Sequence, residues 1–165
     1  MTFVRESQDC KHCAWAGRPA YSVHMAGPIR VFIMDDHADV RQALAARLGS
    51  APEMVVVGDT GEAEAGLEKI KTLRPDVALI ETKRADGRGL EIVNWIALSG
   101  VGTRVIVLTS YPSEWERWAA HRAGADCYLL KDIGSPALID RIRSVVAAER
   151  HPDSAERRAS AGGQD

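Results

Sequence analysis

The sequence predicts an α/β fold, an open parallel sheet with helices on both faces. Three observations predict it. Short apolar runs alternate with helical stripes five times along the chain. The runs are continuous instead of alternating with polar residues, which marks strands buried on both faces. Helix boundaries carry capping and stop signals.

Ile29 to Met34 is rich in β-branched residues, ends at Asp35-Asp36, and reads as the first strand. Ala38 to Leu48 is a helix with Val40, Leu44 and Leu48 on one face. Met54 to Val57 is the second strand, stopped by Gly58 and Asp59. Glu62 to Leu73 is the second helix, with Leu67 and Ile70 inward and Pro75 closing it. Val77 to Ile80 and Leu90 to Leu98 are the third strand and helix. Val105 to Leu108 is the fourth strand. Ser113 to Ala123 is the fourth helix, opened by a capping box, Ser113 to Glu116, and stopped by Gly124. Cys127 to Leu130 is the fifth strand. Ser135-Pro136 reads as an N-cap with proline at the first helical position, and Leu138, Ile142 and Val145 form the fifth helix's stripe.

The 165 residues suit one domain with flanks: a leader over 1–28, a domain over 29–147 and a tail over 148–165. Apolar residues at 45% and charged residues at 27% are globular values. The formal net charge of −2 lacks the basic excess of a generic nucleic-acid binder. No apolar run approaches the length of a membrane span, and no secretory signal is visible. Three cysteines, an odd number, fit a reducing compartment, so the expected location is cytoplasmic. Cys10, His12, Cys13 and His24 invite a zinc reading of the leader, but one Cys-x-x-Cys pair supplies only half of a structural zinc site.

In open α/β sheets, ligands bind beyond the carboxyl ends of the strands. Those ends carry Asp35, Asp36, Glu81, Thr109 and Lys131. Crowded carboxylates repel, so one protonates or a cation enters. Hard oxygen ligands suit Mg²⁺, with Asp36, Asp35 and Glu81 as the candidate ligands. Lys131 can neutralise charge from the other side, and Thr109 can donate to an oxygen that gains charge. The set can hold a phosphoryl group or its mimic.

These residues carry a resemblance. The stretches Ile29 to His37, Arg74 to Ile80, Val107 to Tyr111 and Ala123 to Asp132 resemble a response-regulator receiver domain, in order and with family spacing. The last two stretches resemble the NarL/LuxR-type subfamily, which usually carries a C-terminal helix-turn-helix output domain. The resemblance implies a three-layer flavodoxin-like (βα)5 fold with strand order 2-1-3-4-5. It implies Asp36 as a direct Mg²⁺ ligand and Asp35 as a water-mediated one. It implies Thr109 as the switch hydroxyl, Tyr128 as the switch aromatic and Lys131 as the phosphate-contacting lysine. The phosphoacceptor position falls on Glu81, where the family has aspartate. The following loop also departs, with Lys83 and Arg84 entering it and Ala85 replacing the usual proline.

Glutamate carries its carboxylate about 1.5 Å farther from the backbone than aspartate. In-line attack tolerates errors of only about 1 Å before losing roughly 100-fold in rate. Three readings stay open for Glu81: pairing with Lys131 or approaching Thr109 in imitation of the phosphorylated state, degeneration of the site, or slow phosphorylation. The leading expectation is an atypical two-component receiver that is no enzyme and acts through protein contacts independently of phosphorylation. It needs no cofactor, binds Mg²⁺ weakly at most and binds no nucleic acid directly. Its expected partners are a protein or a second copy, with a histidine kinase as the candidate upstream partner. The 18 residues after 147 are too few for a helix-turn-helix, so a stand-alone receiver and a truncated transcription regulator are both open.

The fourth helix is the expected partner surface, together with the fifth strand and helix. At about 100° per residue, Ala120 and Ala123 lie about 60° apart and Trp118 about 160° from Ala120. With the alanines inward, Trp118 faces water and Trp115 sits beside it.

Overall fold

The computed structural model describes residues 27–148. The leader 1–28 and tail 148–165 therefore lie almost wholly outside the described residues, as do the leader's cysteines and histidines. Five strands alternate with five helices: β1 (Ile29–Met34), α1 (Ala38–Gly49), β2 (Met54–Thr60), α2 (Ala63–Leu73), β3 (Val77–Ile80), α3 (Gly89–Leu98), β4 (Arg104–Thr109), α4 (Glu114–Ala123), β5 (Cys127–Leu130) and α5 (Ser135–Ala147). All the strand pairs are parallel, and the order is β2-β1-β3-β4-β5. This is the flavodoxin-like fold.

The period of two along each strand divides the core into two layers. Val31 and Ile33 of β1 face Leu44 and Leu48 of α1 and Leu138 and Ile142 of α5. Phe32 and Met34 face the other way, into a cluster with Ile70 of α2, Ile92 and Ile96 of α3 and Ala120 of α4. Tyr128 of β5 lies in this second layer. Among the described residues, no helix is long and apolar enough to cross a membrane.

Three local expectations are corrected. The second strand does not stop at Gly58; β2 runs on to Thr60. The register shifts between Val31 and Phe32, whose partners are Val56 and Gly58, so Val57 bulges out of the ladder. Gly58 is there for close packing, because a Cβ on it would lie 3.1 Å from the Phe32 ring and 3.2 Å from Leu73. Second, Gly134 and not Ser135 is the N-cap of α5, which places Pro136 one position later. The Ser135 hydroxyl instead accepts a hydrogen bond from Arg47 Nε at 3.1 Å. Third, only half of the α4 capping box forms. Ser113 Oγ accepts from the Glu116 amide at 3.1 Å, but the Glu116 carboxylate turns inward.

Candidate functional site

Ladder bonds continue one residue past the strand ends and fix the backbone of the site. The Asp35 amide donates to Thr60 O at 3.2 Å, the Glu81 amide to Met34 O at 2.9 Å and the Lys131 amide to Thr109 O at 2.9 Å. Asp35, Glu81 and Lys131 are thus held at one edge of the sheet by its own register. Asp35 and Glu81 are buried, with 2% and 5% of their surface exposed.

Lys131 joins them. Its Nζ bonds Asp35 Oδ2 and lies 2.9 Å from Glu81 Oε2. The Lys83 amide donates to Glu81 Oε1 at 2.7 Å, so both carboxylate oxygens of Glu81 are engaged. Burial pushes the Lys131 ammonium down, but its bonds to Asp35 and Glu81 outweigh that and hold it above its ordinary value. Of the two geometries open to Glu81 in sequence, the structure has the pair with Lys131. Thr109 is fully buried, and its Oγ1 accepts from the Tyr111 amide at 3.3 Å.

Asp36 sits at the rim. Its Oδ2 accepts from the Ala85 amide at 3.0 Å. Burial pushes its carboxyl up, but the Ala85 amide and the adjacent His37 outweigh this and hold it below the ordinary carboxylate value. Its Oδ1 is buried and accepts no hydrogen bond, although His37 Nδ1 is an ion-pair neighbour at 2.9 Å. Asp35, Asp36 and His37 offer ligand atoms within 4.8 Å of one another. An orphaned carboxylate oxygen beside a second carboxylate fits a hard divalent cation such as Mg²⁺. Glu81, the third candidate ligand by sequence, is not in this group of ligand atoms. Lys131 pairs with Glu81 and Asp35 alike, which leaves Asp36 as the carboxylate not bound to the lysine.

His37 follows the acidic pair and is the N-cap residue of α1. Its side chain is exposed, yet its amide donates to Asp35 Oδ1 at 2.9 Å and its ring lies with the Asp35 and Asp36 carboxylates in the same cluster of ligand atoms. The two basic loop residues take different places. Arg84 is buried, pairs with Asp86 at 2.9 Å and donates to Gly61 O. Lys83 reaches away from the three acids to Glu116 Oε2 at 3.3 Å and donates to Tyr111 O.

Sequence reasoning missed Glu116. Its carboxylate is buried and collects the Thr82 hydroxyl on Oε1, with the Tyr128 hydroxyl at 3.1 Å and Lys83 on Oε2. Tyr128 is therefore tied to α4. Burial and the Glu116 charge push its phenol up to about 12. On the opposite face of α4, Trp115 and Trp118 are 68% and 59% exposed, and Arg122 lies 5.1 Å over the Trp118 ring.

Comparison with known proteins agrees with this architecture. The DNA-binding transcriptional activator DevR/DosR of Mycobacterium tuberculosis is 35% identical over 119 residues, 72% of this chain and 55% of that protein. The nitrate/nitrite response regulator NarL of Escherichia coli K12 is 29% identical over 74% of this chain and 56% of its own length. The chain thus spans about half the length of the curated relatives it matches. Among solved structures, the response regulator domain of Thermotoga maritima CheB is 30% identical with a TM-score of 0.67, covering 74% of this chain and 99% of that one. Residues 31–143 match the family model described as the response regulator receiver domain. With the 2-1-3-4-5 sheet and the acidic pocket at its carboxyl edge, the chain belongs to the response regulator receiver domain family, the module of two-component signalling.

Proposed function

We propose that this chain is an atypical receiver that signals without being phosphorylated, through protein contacts of the face built by α4, β5 and α5. The observation that most supports this is the engagement of Glu81, with Lys131 Nζ at 2.9 Å on one oxygen and the Lys83 amide at 2.7 Å on the other. A carboxylate that attacks a phosphoryl donor needs an oxygen aligned at about 3–3.5 Å. Glu81 stands where the family places its acceptor, and it would have to leave both partners first. The longer side chain instead supplies a permanent negative charge to the lysine that contacts phosphate in the family. The reading gives the chain no chemistry of its own and no contact with nucleic acid.

Mg²⁺, when held by Asp36 and Asp35, supplies positive charge to the acidic pocket. The ion pair of Glu81 with Lys131 does not depend on it. Trp115 and Trp118 are the anchors of the partner face, since exposed tryptophans on one helix face are frequent binding hot spots. The partner is a protein: a second copy, or a histidine kinase that docks without transferring phosphate.

Incubation with acetyl phosphate and Mg²⁺ tests this. The intact mass is expected to stay unchanged. A stoichiometric gain of one phosphoryl group, abolished by Glu81→Gln, would overturn the reading.

A further inference from the structure

Glu116 is the feature of this site that neither the capping rule nor the acidic pocket accounts for. A carboxylate that is 5% exposed is costly to bury unless its oxygens are satisfied. Here three donors satisfy it, and they come from two parts of the chain, β5 and the loop after β3. The Tyr128 hydroxyl comes from β5 at 3.1 Å, and Lys83 Nζ comes from the loop after β3 at 3.3 Å. The Thr82 hydroxyl, beside Glu81, binds the other oxygen. Glu116 itself is on the first turn of α4, with its amide capped by Ser113.

We propose that Glu116 is the positioning residue that locks α4 to the loop following Glu81 and holds Tyr128 inward, so that the Trp115 and Trp118 face is displayed constitutively. The mechanism follows from helix geometry. Glu116 and Ala120 are four residues apart, on one side of α4, and both are buried. Two inward anchors one turn apart fix the rotation of the helix about its axis. That rotation sets Trp115 and Trp118 facing water. The same carboxylate holds the Tyr128 ring in the layer of Ile92, Val107 and Ala120. The loop from Thr82 to Asp86 is braced in the same way, since Thr82 and Lys83 bind Glu116 while Arg84 binds Asp86 and Gly61 O. The raised phenol of Tyr128 agrees, being explained by burial and by the Glu116 charge. The brace acts whether or not Glu81 ever accepts phosphate, so it stands or falls apart from the function proposed above.

The full chain labelled with 3-fluorotyrosine tests this by ¹⁹F NMR. It has three tyrosines, Tyr21, Tyr111 and Tyr128; the Tyr128 signal is assigned by its loss in Tyr128→Phe. Tyr111, 72% exposed, is the solvent reference. The unsubstituted chain is expected to show one Tyr128 signal with a small shift between H₂O and D₂O. Glu116→Ala is expected to give Tyr128 a solvent shift approaching that of Tyr111, with circular dichroism unchanged. Glu116→Gln, which keeps an acceptor oxygen at the same reach, is expected to restore most of the inward signal. A Tyr128 signal that stays buried in a folded Glu116→Ala would overturn the proposal. Should that variant not fold, Glu116→Gln decides. Release of Lys83 is then expected to speed amide exchange in residues 82–86 by about tenfold, and unchanged exchange there would overturn the proposal.

Discussion

Replacing Lys131 with methionine is expected to lower stability by about 3–5 kcal/mol, the usual result of leaving buried charges without their counter-charge. For a domain of this size that is about 10 °C or more in melting temperature. The reason is geometric. Lys131 Nζ contacts both Asp35 and Glu81, which are 2% and 5% exposed, and it is 14% exposed itself. Methionine fills the space but leaves two carboxylates facing each other. The pH dependence has a definite sign. Because the folded-state value of Lys131 is raised, the stability it contributes is fully present below the ordinary lysine value of 10.5. It is lost as pH rises through the higher folded value. Thermal melts should therefore show an alkaline loss in the unsubstituted chain that Lys131→Met lacks. A variant that melts with the parent at neutral pH would contradict the account of the site.

Gly89→Ala is expected to be as damaging, at about 3 kcal/mol or more, through overpacking against rigid atoms. Gly89 begins α3, and a Cβ there would lie inside the contact radius of the Thr82 main chain, 2.6 Å from its carbonyl carbon. The obstacle is backbone one residue beyond Glu81, so no rotamer change relieves it. Either α3 moves away or the segment carrying Glu81 and Thr82 shifts. Gly49, the last residue of α1, has nothing within 4 Å of its added Cβ and is the control. Gly49→Ala is expected to leave the melting temperature unchanged or slightly raised. Urea titration of both variants measures the difference, and equal midpoints would contradict the tight packing of α3 on the Thr82 backbone.

The fold was legible because its signals are local and repeated. Five apolar runs and five stripes fall within a few residues of the observed strands and helices. The misjudged ends have physical causes. Gly58-Asp59 is a stop in sequence, but on an edge strand beside the Phe32 ring the glycine is what permits the strand to continue. Ser135 has the chemistry of a cap, but its hydroxyl was taken by Arg47 from a distant part of the chain. The acids and the lysine were legible because strand ends must converge at one edge of a parallel sheet. Glu116 was not. Capping logic claimed it, and which way a first-turn carboxylate turns depends on donors supplied by β5 and the loop after β3, far away in sequence.

The central claim is that the output face is already set without phosphate. Hydrogen exchange of α4 and β5, recorded with and without acetyl phosphate and Mg²⁺, tests it most directly. The account predicts superimposable exchange for residues 113–130 under both conditions. A phosphodonor-dependent change in that segment, absent from Glu81→Gln, would contradict it.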